Sequence, residues 1–120
     1  RESNHARHPI NAMLSYGYAR LISKGRSEIV TAGFAPTIGF AHRREGNRIP
    51  LVYDLMEPLR PVVDRKVLEF ALAHTFTPGD FTISSKGGCR LNPQMARVVA
   101  KHIAGIECRN RIENFINWLV

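Results

Sequence analysis

A helical repeat of apolar residues near the start of the chain constrains the fold more than any other feature. The segment PINAMLSYGYARLISKG, residues 9–25, opens with a proline at a plausible first helical position. Its apolar residues recur at the i, i+3, i+4 spacing of a single helix face for more than three turns. These residues are Ile10, Met13, Leu14, Gly17, Tyr18, Leu21 and Ile22. The spacing predicts an amphipathic helix that stops at Gly25.

The next segments predict a short helix, a turn and a loop. SEIVTAGF predicts a helix ended by Gly33, and the glycine and proline of APTIGF, residues 35–40, predict a turn. HRREGNRIP, residues 42–50, is polar and predicts an exposed loop. We expect this loop to be a functional segment because it carries the histidine and several of the arginines discussed below.

The second half of the chain predicts three more helical regions and one short β segment. LVYDLME restarts a helix and VVDRKVLEFALAHTF continues one, with an apolar face formed by Val63, Val67, Ala71 and Leu72. TPGDFTISSKGGC predicts a short strand or an irregular hairpin. LNPQMARVVAKHIAG has Asn92 as N-cap and Pro93 at the first helical position. RNRIENFINWLV predicts a last helix whose inward residues are Ile112, Phe115, Ile116 and Leu119.

These elements predict a mostly α-helical bundle that forms one domain over residues 1–120. No run of apolar residues approaches the roughly 20 that a membrane-spanning helix needs, so we expect no membrane partner. The chain begins with Arg1 and has no charged-then-apolar leader, so we expect a piece of a longer chain. Cys89 and Cys108 lack the CxxC spacing of a zinc or redox site, which favours a reducing cytoplasm.

The charge balance is the most informative bulk property. The net charge is +7 and the pI is near 10.1, and 13 of the 17 basic residues are arginines. Arginine presents a planar fork that binds phosphate oxygens in pairs, so this surplus favours a nucleic-acid partner. A solvated basic surface, or docking on an acidic protein, is the alternative that charge alone leaves open.

One stretch, residues 39–65, carries the groups best suited to chemistry. Asp54 and Glu57 lie three residues apart, so on a helix both carboxylates project from one face. Two acids held this close repel unless a cation lies between them, and oxygen ligands suit Mg²⁺ or Mn²⁺. His42, upstream, favours manganese because imidazole is a softer ligand. Such a site is typical of phosphoryl transfer, with the DNA backbone held by surrounding arginines. They are Arg43, Arg44, Arg48, Arg60 and Arg65.

The spacing alone does not exclude a plainer interpretation, namely a solvated helix face after a polar loop. Two features favour the metal site. His42 follows an apolar run that ends in a glycine, where packing would aim its side chain. The acids lie in and next to the apolar segment LVYDLM, which predicts burial, and a buried acid needs a metal or an arginine as partner.

Four segments together resemble a known family. HPINAMLSYGYARL, TAGFAPTIGFAH, PLVYDLMEPLRPVVDR and GGCRLN occur in the order of the signature segments of the CRISPR-associated integrases of spacer acquisition, the Cas-one family. The resemblance covers residues from about 9 to about 100. It implies the large C-terminal helical domain that carries the active site in that family, without the N-terminal β-rich domain.

The resemblance also implies an activity and partners. Members are metal-dependent DNA endonucleases and integrases that join the 3′ hydroxyls of a short foreign double-stranded DNA to the CRISPR repeat by transesterification. They act as homodimers together with a small dimeric partner, Cas-two. We therefore expect an enzyme of phosphoryl transfer that uses Mn²⁺ or Mg²⁺.

The family's site residues carry over to three positions of this sequence. Its metal-binding histidine corresponds to His42 and its acidic ligand to Glu57, while Asp54 matches a further acid beside the metal. The family's first ligand is a glutamate well upstream of the NAMLSYGYA segment, and Glu2 does not match it, so we expect an incomplete ligand set and weak metal binding. The residues expected to bind DNA phosphates are Arg43, Arg44, Arg60, Arg65, Lys86 and Arg90.

Two other functions stay open at this stage. The chain could be a catalytically incomplete DNA-binding or scaffolding module within a larger assembly or fusion. It could also be an interaction domain that docks through the amphipathic helix of residues 109–120, although Phe115 and Trp118 of that helix are more typical of a core.

Overall fold

The fold is a helical bundle with two short β-hairpins. A computed structural model describes residues 8–35, 39–44 and 47–119, with the side chains of 39–50, 116 and 119 excepted. In chain order the elements are α1 (Pro9–Thr31), β1 (Gly39–Arg44), β2 (Asn47–Pro50), α2 (Leu51–Met56), α3 (Arg60–Ala73), β3 (Phe81–Ile83), β4 (Cys89–Leu91), α4 (Pro93–Ala104) and α5 (Arg109–Leu119). Short 3₁₀ turns lie at Glu57–Leu59 and Pro78–Asp80. The predicted mostly α-helical class is confirmed. Among the described helices, none combines the length and the apolar character needed to cross a bilayer.

Helix α1 is the central element, and both of its ends are capped. At its start, His8 Nδ1 accepts a hydrogen bond from the Ile10 N–H at 3.1 Å. At its end, Gly33 adopts a φ of 97°, and the Phe34 N–H donates to the Ile29 carbonyl at 3.1 Å. Glycine is favoured at this left-handed position because it has no Cβ. The predicted stop at Gly33 is therefore confirmed.

The predicted stop at Gly25 is wrong, because α1 runs through it without a break. Every fourth residue along one face of α1 is buried: Met13, Gly17, Leu21, Gly25 and Ile29. A Cβ at Gly17 would lie 2.8 Å from Val63 Cγ1, and one at Gly25 would lie 2.7 Å from Val52 Cγ2. Both glycines therefore allow α2 and α3 to approach the backbone of α1 closely. This packing offsets the roughly 1 kcal/mol by which glycine disfavours a helix interior.

The other helices pack around α1 through their own apolar faces. Helix α3 buries Val63, Val67 and Phe70. The predicted face of α3 is right at its start but wrong at Leu72, which is 81% exposed. The reason is the helical period: Phe70 is buried and Ala71 is half-buried, so the next position along the helix, Leu72, points to solvent. Helix α4 buries Met95, Val99 and Ile103.

The caps and contacts of the last two helices agree with most of the sequence predictions. The Asn92 side chain accepts a hydrogen bond from the Met95 N–H at 2.8 Å, which confirms its predicted role as N-cap of α4. In α5, Ile112 is buried as predicted, and Arg111 Nε donates to the Leu55 carbonyl at 2.8 Å. Trp118 is 72% exposed, so the expectation that it belongs to the core is wrong. The predicted burial of residues 116 and 119 lies outside the described side chains.

Residues 39–44 and 47–50 pair as two antiparallel strands, β1 and β2, rather than forming the predicted exposed loop of residues 42–50. The predicted turn of residues 35–40 lies largely outside the described residues, and its last two residues belong to β1. Arg43 pairs with Arg48 and Arg44 with Asn47, and the register is irregular between Gly39 and Arg43. Strand formation depends on pairing with a partner strand more than on local polarity, and for this reason a polar segment that predicts a loop forms a strand here. Strand β2 passes directly into α2. Of the two alternatives predicted for residues 77–89, a short strand or an irregular hairpin, the structure has a hairpin, in which β3 pairs with β4 from Phe81 opposite Leu91.

Candidate functional site

The three candidate catalytic residues lie on consecutive elements. His42 is on β1, Asp54 is on α2, and Glu57 is the first residue of the 3₁₀ turn that follows α2. The side chains of His42, Arg43 and Arg44 lie outside the described residues, so the structure fixes only their place on the strand. The direct passage of β2 into α2 brings the hairpin next to the acids along the chain.

The helix breaks at Glu57 because two prolines follow it. Pro58 has no N–H to offer the Asp54 carbonyl, and Pro61 has none to offer the Glu57 carbonyl. The Glu57 carbonyl instead accepts a hydrogen bond from the Arg60 N–H in the tighter 3₁₀ turn. The chain therefore changes its helical geometry at the residue that carries the candidate acid.

The expected burial of the two acids is wrong. Leu51, Val52 and Met56 are buried on one face of α2, while Asp54 and Glu57 are exposed. The Glu57 side chain is 63% exposed and pairs with Arg60 at 3.2 Å between Oε2 and Nη1. An arginine partner was one of the two alternatives for an acid at this position, and Arg60 supplies it.

A continuous set of contacts links Glu57 to α1 and α3. The Arg60 guanidinium, paired with Glu57, also lies over the Tyr18 ring, 4.3 Å from its centroid. The Tyr18 hydroxyl donates to Asp64 Oδ1. Cation–π contacts and charged hydrogen bonds each contribute about 0.5–2 kcal/mol depending on exposure. Together they restrain Arg60, whose guanidinium forms the ion pair with the exposed Glu57 carboxylate.

These contacts change the ionisation of two of the groups. Burial, followed by the hydrogen bond to Asp64, raises the pKa of Tyr18 above its usual range. For Arg60, burial lowers the pKa, but the hydrogen bond and the charge of Glu57 outweigh it and the pKa is raised. Arg60 is therefore a permanent positive charge beside the candidate acid, and Tyr18 remains a hydrogen-bond donor at neutral pH.

An open cleft of about 380 Å³ runs along α1 beside this set of contacts, and we call it the Glu57 cleft. Its lining residues are Ser15, Tyr18, Ala19, Leu21, Ile22, Arg26, Tyr53, Met56, Glu57 and Arg60. On its far side Arg26 Nη2 donates to the Tyr53 hydroxyl at 2.9 Å. Two arginines and one exposed acid thus face a cleft with partly apolar walls, which suits a phosphate-containing substrate.

Comparison with known proteins decides the family. The family model described as CRISPR associated protein Cas1 matches residues 1–104. The chain belongs to the Cas1 family. This confirms the resemblance to the Cas-one family drawn from the four sequence segments.

The relatives and the fold agree with this membership. A CRISPR-associated endonuclease Cas1 of Methanospirillum hungatei is 44% identical over 92 residues, covering 76% of this chain and 28% of the relative. A Cas4 exonuclease/Cas1 endonuclease fusion of Geobacter sulfurreducens is 36% identical over 102 residues, covering 84% of this chain and 18% of the relative. The structure of a casposase bound to its integration product superposes with a TM-score of 0.72 at 30% identity, covering 87% of this chain and 30% of the casposase. The chain thus spans less than a third of the length of these relatives.

The donor chemistry around Glu57 fits a hard divalent cation in part. Its carboxylate is exposed to the cleft, and carboxylate oxygens are the ligands that Mg²⁺ and Mn²⁺ prefer. Within the described residues no three histidine, cysteine or acidic side chains come together as a complete ligand set. His42 would have to join Glu57 from β1, and the roles of both residues in this Cas1 chain remain predictions.

The basic residues predicted to bind DNA do not form one cluster. Arg60 lies at the Glu57 cleft, Arg65 is exposed on α3, Lys86 is exposed in the β3–β4 turn, and Arg90 is exposed on β4. Arg90 lines a second cleft, described below. These four charges therefore lie on different elements, and among them Arg60 is the one that contacts a candidate catalytic residue, Glu57.

Sequence reasoning missed Tyr18, Arg26 and Tyr53 as residues of the site. Tyr18 belongs to the apolar face that the sequence predicts for residues 9–25, and Arg26 lies just beyond that segment. Tyr18, Ile22 and Arg26 follow each other at steps of four on α1, so they share a face, and this spacing is the signal that points to them. What the sequence could not supply is that α2 and the 3₁₀ turn lie opposite this face.

The remaining histidines and the cysteines of the described residues have structural contacts. His8 caps α1, and His74 and His102 pack on the Phe70 ring with centroids 4.9 and 4.8 Å away. Cys89 and Cys108 are buried and unpaired, and burial raises the pKa of both thiols. None of these residues points to a second catalytic centre.

Proposed function

We propose that this chain is the catalytic domain of a metal-dependent DNA endonuclease and integrase of CRISPR adaptation. It inserts short foreign DNA into the CRISPR array by transesterification. The observation that carries the proposal is the Cas1 match over residues 1–104, together with the likeness to a casposase bound to an integration product. The arginine-rich composition and the open Glu57 cleft support it.

In this proposal His42 and Glu57 hold an Mn²⁺ or Mg²⁺ ion, and Asp54 supports the site without ligating the ion. A bound divalent ion neutralises charge on a phosphodiester and assists attack by a hydroxyl. Arg60 orients the Glu57 carboxylate and adds a fixed positive charge where a phosphate enters. The Tyr18 ring restrains the Arg60 guanidinium that lies over it, and Tyr18 is itself held by its hydrogen bond to Asp64.

The DNA backbone is held by basic residues that read no bases. They are Arg43, Arg44, Arg60, Arg65, Lys86 and Arg90. Contacts of this kind set the position of a duplex and make affinity depend steeply on salt. We further propose that the substrates are a protospacer and a CRISPR repeat, that the protein acts as a homodimer with Cas-two, and that it works in the cytoplasm.

The test replaces the proposed ligands in the protein as it is encoded, assayed with Cas-two and a repeat-containing DNA. Glu57→Gln and His42→Ala are expected to lower the rate of integration by more than about 100-fold, because even the groups behind metal ligands are worth about 10- to 100-fold. Duplex affinity is expected to stay within about 2-fold. Glu69→Gln, which changes another exposed acid on α3, is the matched control and is expected to integrate at the wild-type rate. Wild-type integration by the Glu57 or His42 variant would contradict the assignment.

A second candidate is a DNA-binding or scaffolding module without chemistry of its own. The observation that favours it is the match of 84% of this chain to a relative in which Cas1 is fused to another nuclease. Such a module would bind duplex DNA with an affinity that falls steeply with salt. It would show no manganese-dependent cleavage of branched DNA, and that pair of results would favour it over the integrase.

A further inference from the structure

A second cleft lies on the same side of α1 as the Glu57 cleft, and we call it the Arg90 cleft. It measures about 260 Å³ and lies where α1, β4 and α4 meet. Its lining includes Ala12, Ser15, Ala19, Cys89, Arg90 and Ala96. Ser15 and Ala19 line both clefts, so one small-residue stretch of α1 forms the wall that the two clefts share.

Ser15, in this shared wall, has a buried hydroxyl. The residue is only 6% exposed, and its Oγ atom has no hydrogen-bond partner among the described residues. A buried polar group left without a partner lowers stability, so this hydroxyl gains from any group that hydrogen-bonds to it. Because Ser15 lines both clefts, a ligand bound in either cleft lies beside this residue.

Arg90 supplies a positive charge to the Arg90 cleft. It is exposed on β4, and no described carboxylate forms an ion pair with it, whereas Arg60 and Arg109 are both paired. The strand that carries it is anchored, because Cys89 beside it is 1% exposed and Arg90 itself pairs with Thr82 of β3. A guanidinium that lines a cleft on an anchored strand, with no carboxylate partner among the described residues, can bind an anion with two oxygens, such as a phosphodiester.

We propose that the Arg90 cleft binds a backbone phosphate of the same DNA strand whose reacting phosphate lies in the Glu57 cleft. Arg90 donates to the phosphate oxygens and the Ser15 hydroxyl donates from the shared wall. The small side chains of Ala12, Ala19 and Ala96 leave room for the sugar-phosphate chain to lie close to the backbone of α1. This subsite rests on the proposed function, since it takes the same DNA, but it concerns binding and can be measured without catalysis.

The first experiment couples one protein residue to one phosphate. Duplexes carrying a repeat sequence are made with a single neutral methylphosphonate at each position around the reacting phosphate, and affinity is measured without divalent ions. Arg90→Ala is expected to weaken the unmodified duplex about 10-fold, as expected for the loss of a charged hydrogen bond. At one position near the reacting phosphate, the methylphosphonate weakens binding of the wild type but not of Arg90→Ala.

Arg97→Ala is the matched control, because it removes the same charge from the exposed side of α4, outside both clefts. It is expected to show the full loss at every methylphosphonate position. The salt dependence gives a second measure, since removing one phosphate contact lowers the slope of log affinity against log salt by about 0.9. An Arg90→Ala variant that behaves like Arg97→Ala in both measurements would overturn the subsite.

The second experiment uses Ser15→Ala, which removes the unpartnered hydroxyl. If the hydroxyl serves a ligand, the melting temperature stays the same or rises while duplex affinity falls about 3-fold or more. A variant with unchanged affinity would show that Ser15 takes no part in binding. Failure of integration with intact coupling between Arg90 and one phosphate would remove the proposed function and leave the subsite. Integration without any such coupling would leave the proposed function and remove the subsite.

Discussion

Two faces of α1 use small residues for opposite purposes. On the packed face, glycines alternate with large apolar residues at steps of four, and Val63 and Val52 fill the space that the glycines leave. On the opposite face, Ser15 and Ala19 also lie four apart, but both of them line two open clefts. The same spacing of small residues therefore accompanies close helix packing on one side and an accessible surface on the other.

The difference lies in what faces the small residue, which a pattern of residue types does not contain. A small side chain opposite a helix lets that helix approach, so enlarging it creates a clash inside the core. A small side chain opposite solvent leaves a groove, so enlarging it changes what can bind rather than whether the chain folds. Enlarging a small residue should therefore lower stability on the packed face and change binding on the other face.

Gly25→Ala is expected to have the largest effect on stability. Its new Cβ would lie 2.7 Å from Val52 Cγ2 and 2.9 Å from Met56 Cγ, so two side chains must move. Overpacking destabilises by about 1–3 kcal/mol, and the displacement of two side chains places this variant near the upper end of that range. Helix propensity offsets about 1 kcal/mol of the loss. We expect the free energy of unfolding to fall by about 2 kcal/mol in urea denaturation followed by circular dichroism.

The control for Gly25→Ala is Ser23→Ala, two residues away on the exposed side of α1. It changes helix propensity without meeting a neighbour and is expected to stabilise by about 0.3 kcal/mol. If Gly25→Ala stabilises by as much as Ser23→Ala, the close approach of α2 to α1 is not a feature of the folded protein.

Gly17→Ala is expected to destabilise less, by about 1 kcal/mol, because only one atom lies closer than 3.0 Å to the new Cβ. That atom is Val63 Cγ1, at 2.8 Å. The clash predicts a specific rescue: in the double variant Gly17→Ala with Val63→Ala, the two losses should sum to more than the measured loss. Strict additivity of the two losses would contradict the contact.

Tyr18→Phe tests the border between the two faces, where the Tyr18 hydroxyl donates to Asp64. Because Tyr18 is half-exposed, we expect a loss of at most about 1 kcal/mol at neutral pH. The raised pKa of Tyr18 also sets a pH dependence, because the folded chain keeps a proton that the unfolded chain loses above about pH 10. Its contribution is therefore fully present below pH 10 and is lost as pH rises through the folded pKa.

The measurement for Tyr18→Phe is the free energy of unfolding between pH 8 and 11, a range set around the usual tyrosine pKa of about 10. In the variant, the free energy of unfolding should fall less steeply at alkaline pH than it does in the wild type. Tyr16→Phe, on a half-buried tyrosine of the same helix, should keep the decline. An unchanged decline in Tyr18→Phe would mean that the Asp64 contact does not retain the proton.

Ala19→Leu is expected to have the smallest effect on stability and a large effect on binding. Ala19 is exposed in the wall shared by the two clefts, so a larger side chain meets solvent rather than core and stability should change by less than about 0.5 kcal/mol. The added leucine blocks the path proposed for the DNA backbone, and duplex affinity should fall about 10-fold or more. Ala73→Leu, at the exposed end of α3, is the control with the same chemical change. Equal affinities of the two variants would show that DNA does not cross α1 here.

Much of the fold follows from the sequence because helical periodicity is local. The start of α1, the cap at Asn92, the end at Gly33 and the β3–β4 hairpin are all predicted from residues next to each other in the chain. The strands of residues 39–44 and 47–50 are not, because their mostly polar sequence predicts a loop. The passage of α1 through Gly25 is not either, because it depends on residues distant in the sequence. Gly25 is retained inside a helix by Val52 and Met56, which no local rule brings to it.

The site was predicted in part for the same reason. Motif resemblance singles out His42, Asp54 and Glu57, and the described structure places Glu57 in the lining of an open cleft, while Asp54 is exposed on α2 outside that lining. The expected burial of the acids failed because apolar neighbours in the sequence occupy the opposite face of α2. Tyr18 and Asp64 are 46 residues apart in the chain, so their link to Arg60 exists only once α1 and α3 are packed.

The break in the helix at Glu57 has a consequence for the unfolded chain. Pro58 and Pro61 limit the backbone angles on the C-terminal side of the acid before any folding takes place, so less conformational entropy is lost there when the domain forms. Most of the fold depends on packing and hydrogen bonds that weaken together on heating. The backbone after Glu57 is restricted instead by covalent rings, so we expect its local geometry to persist at temperatures at which the neighbouring hydrogen-bonded turns begin to open.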